Sequence, residues 1–100
     1  MAVVEVSIVP LGTGSPSVSK HVARVIKVLQ TEPEVKYTPT AMGTIIEGDL
    51  DRILAVVRKM HETAFSDEVM RVVTTIKIDD RRDKSLSMEG KLNSLERELG

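Results

Sequence analysis

The run Tyr37-Thr-Pro-Thr-Ala-Met-Gly-Thr-Ile-Ile-Glu-Gly-Asp49 holds most of the side chains in this sequence that could do chemistry together. It carries three hydroxyls, Thr38, Thr40 and Thr44, with one carboxylate, Glu47, one thioether, Met42, and a glycine, Gly43. A strand with a purely structural role alternates more cleanly between β-branched and solvated residues. Hydroxyls and a carboxylate set into an apolar sheet can orient a small ligand. Gly43 would let a flat ring approach the backbone, and Met42 would offer a polarizable wall. Each residue also has a plain structural reading: threonine favours strands, Gly43 can mark a bulge, and Glu47 can pair with Lys77 or Arg71.

Other candidates are weaker. Gly12-Thr-Gly-Ser15 could present backbone N–H groups to an anion at a helix N-terminus, but no lysine follows in the phosphate-loop pattern and Pro16 removes a donor, so a turn and cap is favoured. His21 and His61 fall on separate predicted helices, and His61-Glu-Thr-Ala-Phe65 lacks the second histidine of a zinc-binding helix. Asp79, Asp80 and Asp83 are interleaved with Arg81, Arg82 and Lys84, which suits a salt-bridged loop better than a metal site. No metal is expected. There is no serine, histidine and aspartate spacing and no paired-carboxylate motif, so binding is expected rather than catalysis.

The elements that must position the central run follow from periodicity. Residues 3–9 are β-branched at nearly every position and end at Pro10, which predicts a strand with Val4, Val6 and Ile8 toward a core. Ser15 as N-cap and Pro16 at the first helical position open a helix with a stripe of Val18, Val22, Val25, Ile26 and Leu29, fading near Thr31 before Pro33. Residues 35–38 and 42–47 read as a hairpin about a turn at 39–41. Asp49 then caps a second helix, with Leu50, Ile53, Leu54, Val57 and Met60 inward and an end near Ala64. Residues 69–78 predict the longest strand, with Met70, Val72, Thr74, Ile76 and Ile78 on one face, and residues 79–84 a charged loop. Ser87 caps a terminal helix striped by Met88, Leu92, Leu95 and Leu99. The order β-α-β-β-α-β plus a helix is that of an α+β ferredoxin-like sandwich, two helices on one face of a four-stranded antiparallel sheet. Small ferredoxin-like hydrolases of the acylphosphatase kind hold phosphate with an arginine after the first strand; here that loop has none.

At 100 residues, 41% hydrophobic and 29% charged, the chain is expected to form one domain spanning residues 1–100. A net charge of -1, one Phe, one Tyr and no Trp provide neither a basic field nor a stacking platform for nucleic acid. The absence of cysteine excludes disulfides, a thiolate nucleophile and cysteine-ligated metals. No long apolar run suggests membrane insertion or export, so a cytoplasmic protein is expected.

Helices on one side leave the other sheet face, carrying Glu5, Ser7, Val9, Ile45, Glu47, Arg71, Val73, Thr75 and Lys77, to be covered by something else. Cross-strand ion pairs could solvate it. Val9, Ile45 and Val73 favour burial instead, beneath the terminal helix, another subunit or both.

Three runs, Val4-Glu-Val-Ser-Ile-Val-Pro-Leu-Gly-Thr-Gly14, Tyr37-Thr-Pro-Thr-Ala-Met-Gly-Thr-Ile-Ile-Glu-Gly48 and Val72-Val-Thr-Thr-Ile-Lys-Ile-Asp-Asp-Arg-Arg-Asp-Lys84, resemble the family of small ferredoxin-like thiamine-binding proteins. The resemblance spans nearly the whole chain. It implies a homotetramer built as a dimer of dimers, and non-catalytic binding of thiamine or its hydroxymethylpyrimidine part, with no cofactor beyond that ligand. Thr38, Thr40, Met42, Gly43, Thr44 and Glu47 are the expected contacts, with Glu47 drawing the thiazolium charge. The alternative is an oligomeric regulatory or interaction module without a small ligand of its own.

Overall fold

The computed structural model describes residues 1–12, 14, 19–83 and 87–100. The expected Ser15 cap, Pro16, Val18 and Lys84 lie outside the described residues. The elements are β1 (Ala2–Leu11), α1 (Ser19–Gln30), β2 (Lys36–Pro39), β3 (Thr44–Gly48), α2 (Leu50–Thr63), β4 (Arg71–Asp80) and α3 (Met88–Leu99). The strands form one antiparallel sheet in the order β2-β3-β1-β4, which is the expected ferredoxin-like arrangement.

The β-branched residues of β1 alternate sides, so Val4 and Val6 are fully buried with Ile46 of β3 beneath α1 and α2. Val25 and Leu29 from α1 and Ile53, Val56, Val57 and Met60 from α2 complete this core. The two helices run antiparallel, as their cross-links show: Arg24 donates to the Thr63 and Phe65 carbonyls at 2.7 and 3.2 Å, Lys59 meets Glu32 at 2.7 Å, and Arg52 meets Glu34 at 2.6 Å.

Several expected positions shift for physical reasons. Leu54 follows Ile53 by one residue, a rotation of roughly 100° around a 3.6-residue turn, so it is exposed and Val56 takes its place in the core. Val22 is also exposed, because it lies toward one end of α1 where the sheet beneath it narrows. Ile76 and Ile78 are 40% and 46% exposed although their parity matches Val72: β4 is an edge strand, and α2 sits over β1 and β3. β4 also continues through Asp79 and Asp80, expected in a loop, because both pair with β1. Asp49 occupies the N-cap of α2 without a side-chain cap bond, whereas the Ser87 hydroxyl accepts from Gly90 N at 3.0 Å as a capping serine should.

The hairpin is shorter than expected, since residues 40–43 form the turn and β3 begins at Thr44 rather than Met42. Thr40 organises that turn. Its N–H donates to the Gly43 carbonyl at 2.7 Å, its hydroxyl donates there too at 2.8 Å, and the same oxygen accepts from Met42 N and Gly43 N at 3.2 and 3.1 Å. The turn folds down onto β1, where a Cβ on Gly43 would stand 2.8 Å from the Val6 carbonyl oxygen. Because that neighbour is backbone, Gly43→Ala should cost about 1–3 kcal/mol of stability, as overpacking does. The readout is a lower urea midpoint at unchanged slope; an unchanged midpoint would mean the turn shifts freely.

Candidate functional site

Two concavities divide the predicted site residues between them. The first follows from unequal strand lengths. Pairing of β1 with β4 runs from Ala2 to Leu11, but pairing with β3 stops at Val6 opposite Thr44. Beyond Val6 the β3-side edge of β1 has no ladder partner among the described residues, which leaves its backbone groups to seek other partners. A pocket of about 230 Å³ lies at this point. Its walls are β1 residues 6–9, Val22, Val25 and Ile26 of α1, Met60 of α2, and residues 40–44 of the turn. Among the described residues no charged side chain lines it.

Thr44, the first residue of β3, shares the helix-facing side with Ile46 and is only 6% exposed. Its hydroxyl has no hydrogen-bond partner among the described residues. Among the described residues no buried side-chain polar atom lacks a partner, so this hydroxyl is reached by solvent through the pocket and is open to hydrogen-bond with a molecule seated there. Thr40 and Met42 also line the pocket, but the Thr40 hydroxyl is committed to the turn and Met42 stands at the rim, 83% exposed. Gly43 serves the approach of the turn to β1 described above.

The second concavity is a groove of about 970 Å³ between the open sheet face and α3. Val3, Ile45, Met88 and Leu92 supply apolar walls, with Thr38 at one side and the carboxylates of Glu5, Asp79, Asp80, Glu89 and Glu96 around it. Glu47 is buried beside this groove, beneath the start of α3. Its Oε2 accepts from Met88 N at 2.7 Å, satisfying a first-turn amide that the helix itself leaves free, and Oε1 lies 4.0 Å from Lys36 Nζ. Lys77 stands opposite Glu5 in the register, so Glu47 pairs with Lys36 and the α3 amide rather than with Lys77 or Arg71. An ion pair of Lys91 with Asp79 makes the second tie between α3 and the sheet.

The structure therefore brings Thr40, Met42, Gly43 and Thr44 together at the turn pocket, puts Thr38 in the α3 groove, and uses Glu47 to hold α3. Sequence reasoning did not find Ile8, Val9, Val22 and Ile26 as pocket walls; the available signal was that the first predicted strand outruns the hairpin strands. The histidines do not converge. His61 Nδ1 lies 2.6 Å from the Thr74 hydroxyl, and its ring meets Phe65 edge-on at 5.3 Å. Among the described residues no three His, Asp or Glu side chains are grouped to hold a metal ion, and no helix is long and apolar enough to cross a membrane.

Residues 4–96 match a family model described as thiamine-binding protein. The chain is 46% identical to the UPF0045 protein YqgV of Bacillus subtilis, covering 99% of this chain and 98% of that one. It is 47% identical to the UPF0045 protein MJ1052 of Methanocaldococcus jannaschii over 93% of this chain and 90% of that one. The crystal structure of MJ1052 superposes with a TM-score of 0.86, covering 94% of each chain. A candidate thiamine biosynthesis/salvage protein of Thermotoga maritima has the same fold at 19% identity, with a TM-score of 0.77 and coverage of 94% of this chain and 97% of that one.

The bond from Met88 N to Glu47 separates a role in anchoring α3 from one in charge alone. Glu47→Ala should cost about 1–3 kcal/mol by leaving a first-turn donor unpaired, and should speed amide exchange in the first turn of α3. Glu47→Gln keeps an acceptor oxygen and should cost less. Equal losses for the two variants, with α3 exchange unchanged, would contradict the anchoring role.

Proposed function

Because the chain belongs to the thiamine-binding protein family, we propose that the turn pocket binds the aminopyrimidine ring of thiamine, or the free hydroxymethylpyrimidine, without catalysis in the cytoplasm. The Thr44 hydroxyl, at the pocket wall, open to solvent and without a protein partner among the described residues, carries this reading. At about 230 Å³ the pocket is smaller than the roughly 300–1,000 Å³ of common ligand sites, which suits one substituted ring better than the whole of thiamine. An aminopyrimidine offers a donor beside an acceptor, which complements the open strand edge of β1 as well as a hydroxyl. The uncharged walls suit the neutral ring, and the thiazolium then lies outside.

Self-association completes the proposal. Leu92, Leu95 and Leu99 of α3 are 61%, 54% and 77% exposed, and Val9 and Val73 stand open on the sheet face below. The radius of gyration is 15.0 Å against about 13 Å for a compact chain of this length, because α3 stands off the sandwich. Burying one such leucine stabilises by roughly 1.5–3 kcal/mol, and a closed homo-oligomer, a dimer of dimers in our reading, would cover both surfaces at once.

Calorimetry with thiamine, thiamine phosphates and the pyrimidine alcohol tests the ligand. Thr44→Val keeps the shape and removes the hydroxyl, so it should leave folding stability unchanged or slightly raised while weakening the pyrimidine alcohol by about 1 kcal/mol, roughly fivefold. No heat with any of these ligands at millimolar concentration would instead favour an interaction module without its own small ligand. Light scattering tests the assembly: four times the 11.0 kDa chain mass is expected, and Leu92→Asp with Leu95→Asp should lower it while helix content persists. A chain-sized mass for the unmodified protein would overturn the assembly.

A further inference from the structure

Two prolines fix which way the main chain of β1 faces at the turn pocket. β1 pairs with β4 without a break from Ala2 to Leu11, and Pro10 stands within that ladder opposite Val72 although it has no N–H to give. Residues of an antiparallel strand bond alternately to one side and the other. The even-numbered residues of β1 therefore turn N–H and C=O toward β3, and the odd-numbered ones toward β4. Pro39 agrees from the other side: it stands opposite Thr44 without an N–H, so Thr44 bonds across to Val6 instead. The Val6 carbonyl oxygen does lie on this edge, 2.8 Å from where a Cβ on Gly43 would stand.

Ile8 is the next even-numbered residue. Continuing the register that sets Val4 against Ile46 and Val6 against Thr44 would bring Met42 opposite it. The turn diverts Met42, whose N–H donates to the Thr40 hydroxyl at 3.2 Å and whose side chain is 83% exposed. Both main-chain groups of Ile8 thus face the pocket that Ile8 lines, and no described residue of the turn bonds to them.

Given that the pocket holds an aminopyrimidine, we propose that Ile8 reads it through its main chain. The ligand takes the ladder place that the turn denies to Met42: a ring nitrogen accepts from Ile8 N–H, and the adjacent amino group donates to Ile8 C=O. One donor and one acceptor on a single residue match that pair of neighbours on the ring. Both are held in place by Ser7 and Val9, which bond to β4 opposite Thr75 and Val73, so no side chain need be ordered on binding. An added peptide strand fits less well, because it needs donors at every second residue and the next one, Pro10, has none. An anion would find a single main-chain donor and, among the described walls, no charged side chain. Recognition then does not depend on the side-chain type at position 8, provided that β1 stays paired.

Native-state amide exchange on the full-length protein, with and without the pyrimidine alcohol, tests this alongside calorimetry on two analogues. One analogue lacks the amino group, and the other has carbon in place of the adjacent ring nitrogen. In the free protein the Ile8 amide should exchange about tenfold or more faster than those of Val6, Ser7 and Val9, which are strand-bonded. Saturation should slow Ile8 about tenfold, and each analogue should bind about fivefold more weakly, one hydrogen bond having been lost. Ile8→Val should bind the alcohol as the unmodified protein does. Ile8 exchange as slow as that of Ser7 in the free protein, no added protection on saturation, equal affinity of either analogue, or loss of binding in Ile8→Val would overturn the Ile8 contact. If residues 40–44 still shift on titration in any of those cases, the pocket reading survives it. Failure of the alcohol to bind at all would overturn both.

Discussion

The arrangement rests on a mismatch between neighbouring strands. β1 is long enough to pair with the whole of β4, but β3 ends against Val6. Backbone polar groups seek partners, and beyond Val6 the β3-side edge of β1 has no strand partner among the described residues. The turn at residues 40–43 reaches part of it, held in shape by Thr40 and brought within van der Waals contact of Val6 by Gly43. What remains is a pocket with a strand edge on one side, α1 on another, and the Thr44 hydroxyl inside.

A one-sided helical layer has a second consequence. α2 packs on β1 and β3 with α1 beside it, leaving β4 at an edge and the opposite sheet face to α3. α3 is fastened at its start by Glu47 and Lys91, and its leucines Leu92, Leu95 and Leu99 remain exposed. Glu47 therefore does work that its sequence context did not reveal: buried beneath α3, it stabilises a helix N-terminus. The turn pocket and α3 lie on different parts of the sheet, with Val9 lining the pocket and also exposed on the open face.

Element order, sheet class and most of the core could be read from the amino-acid pattern, because Val4, Val6, Val25, Leu29, Ile53, Val57 and Met60 follow the periods of strand and helix closely. Four of the six residues expected in a ligand site, Thr40, Met42, Gly43 and Thr44, line one pocket because they are close neighbours about a single turn. Glu47 and Thr38 separate from them for a local reason: alternation in a strand sends Glu47 to the opposite face from Thr44, and β2 carries Thr38 beside Ile45 on that same face. The free edge of β1 and the contributions of Val22 and Ile26 depend on register and on where α1 crosses the sheet, which no local pattern encodes. Ile76 and Ile78 show the same limit, since periodicity identifies a face and not whether anything covers it.

Amide chemical-shift mapping during titration with the pyrimidine alcohol tests the central claim most directly. Binding at the end of the β1–β3 ladder predicts saturable shifts in residues 7–9 and 40–44, with Val3, Ile45 and residues 88–92 unaffected. Shifts confined to Val3, Ile45 and residues 88–92 would move the ligand to the groove beneath α3 and contradict the claim.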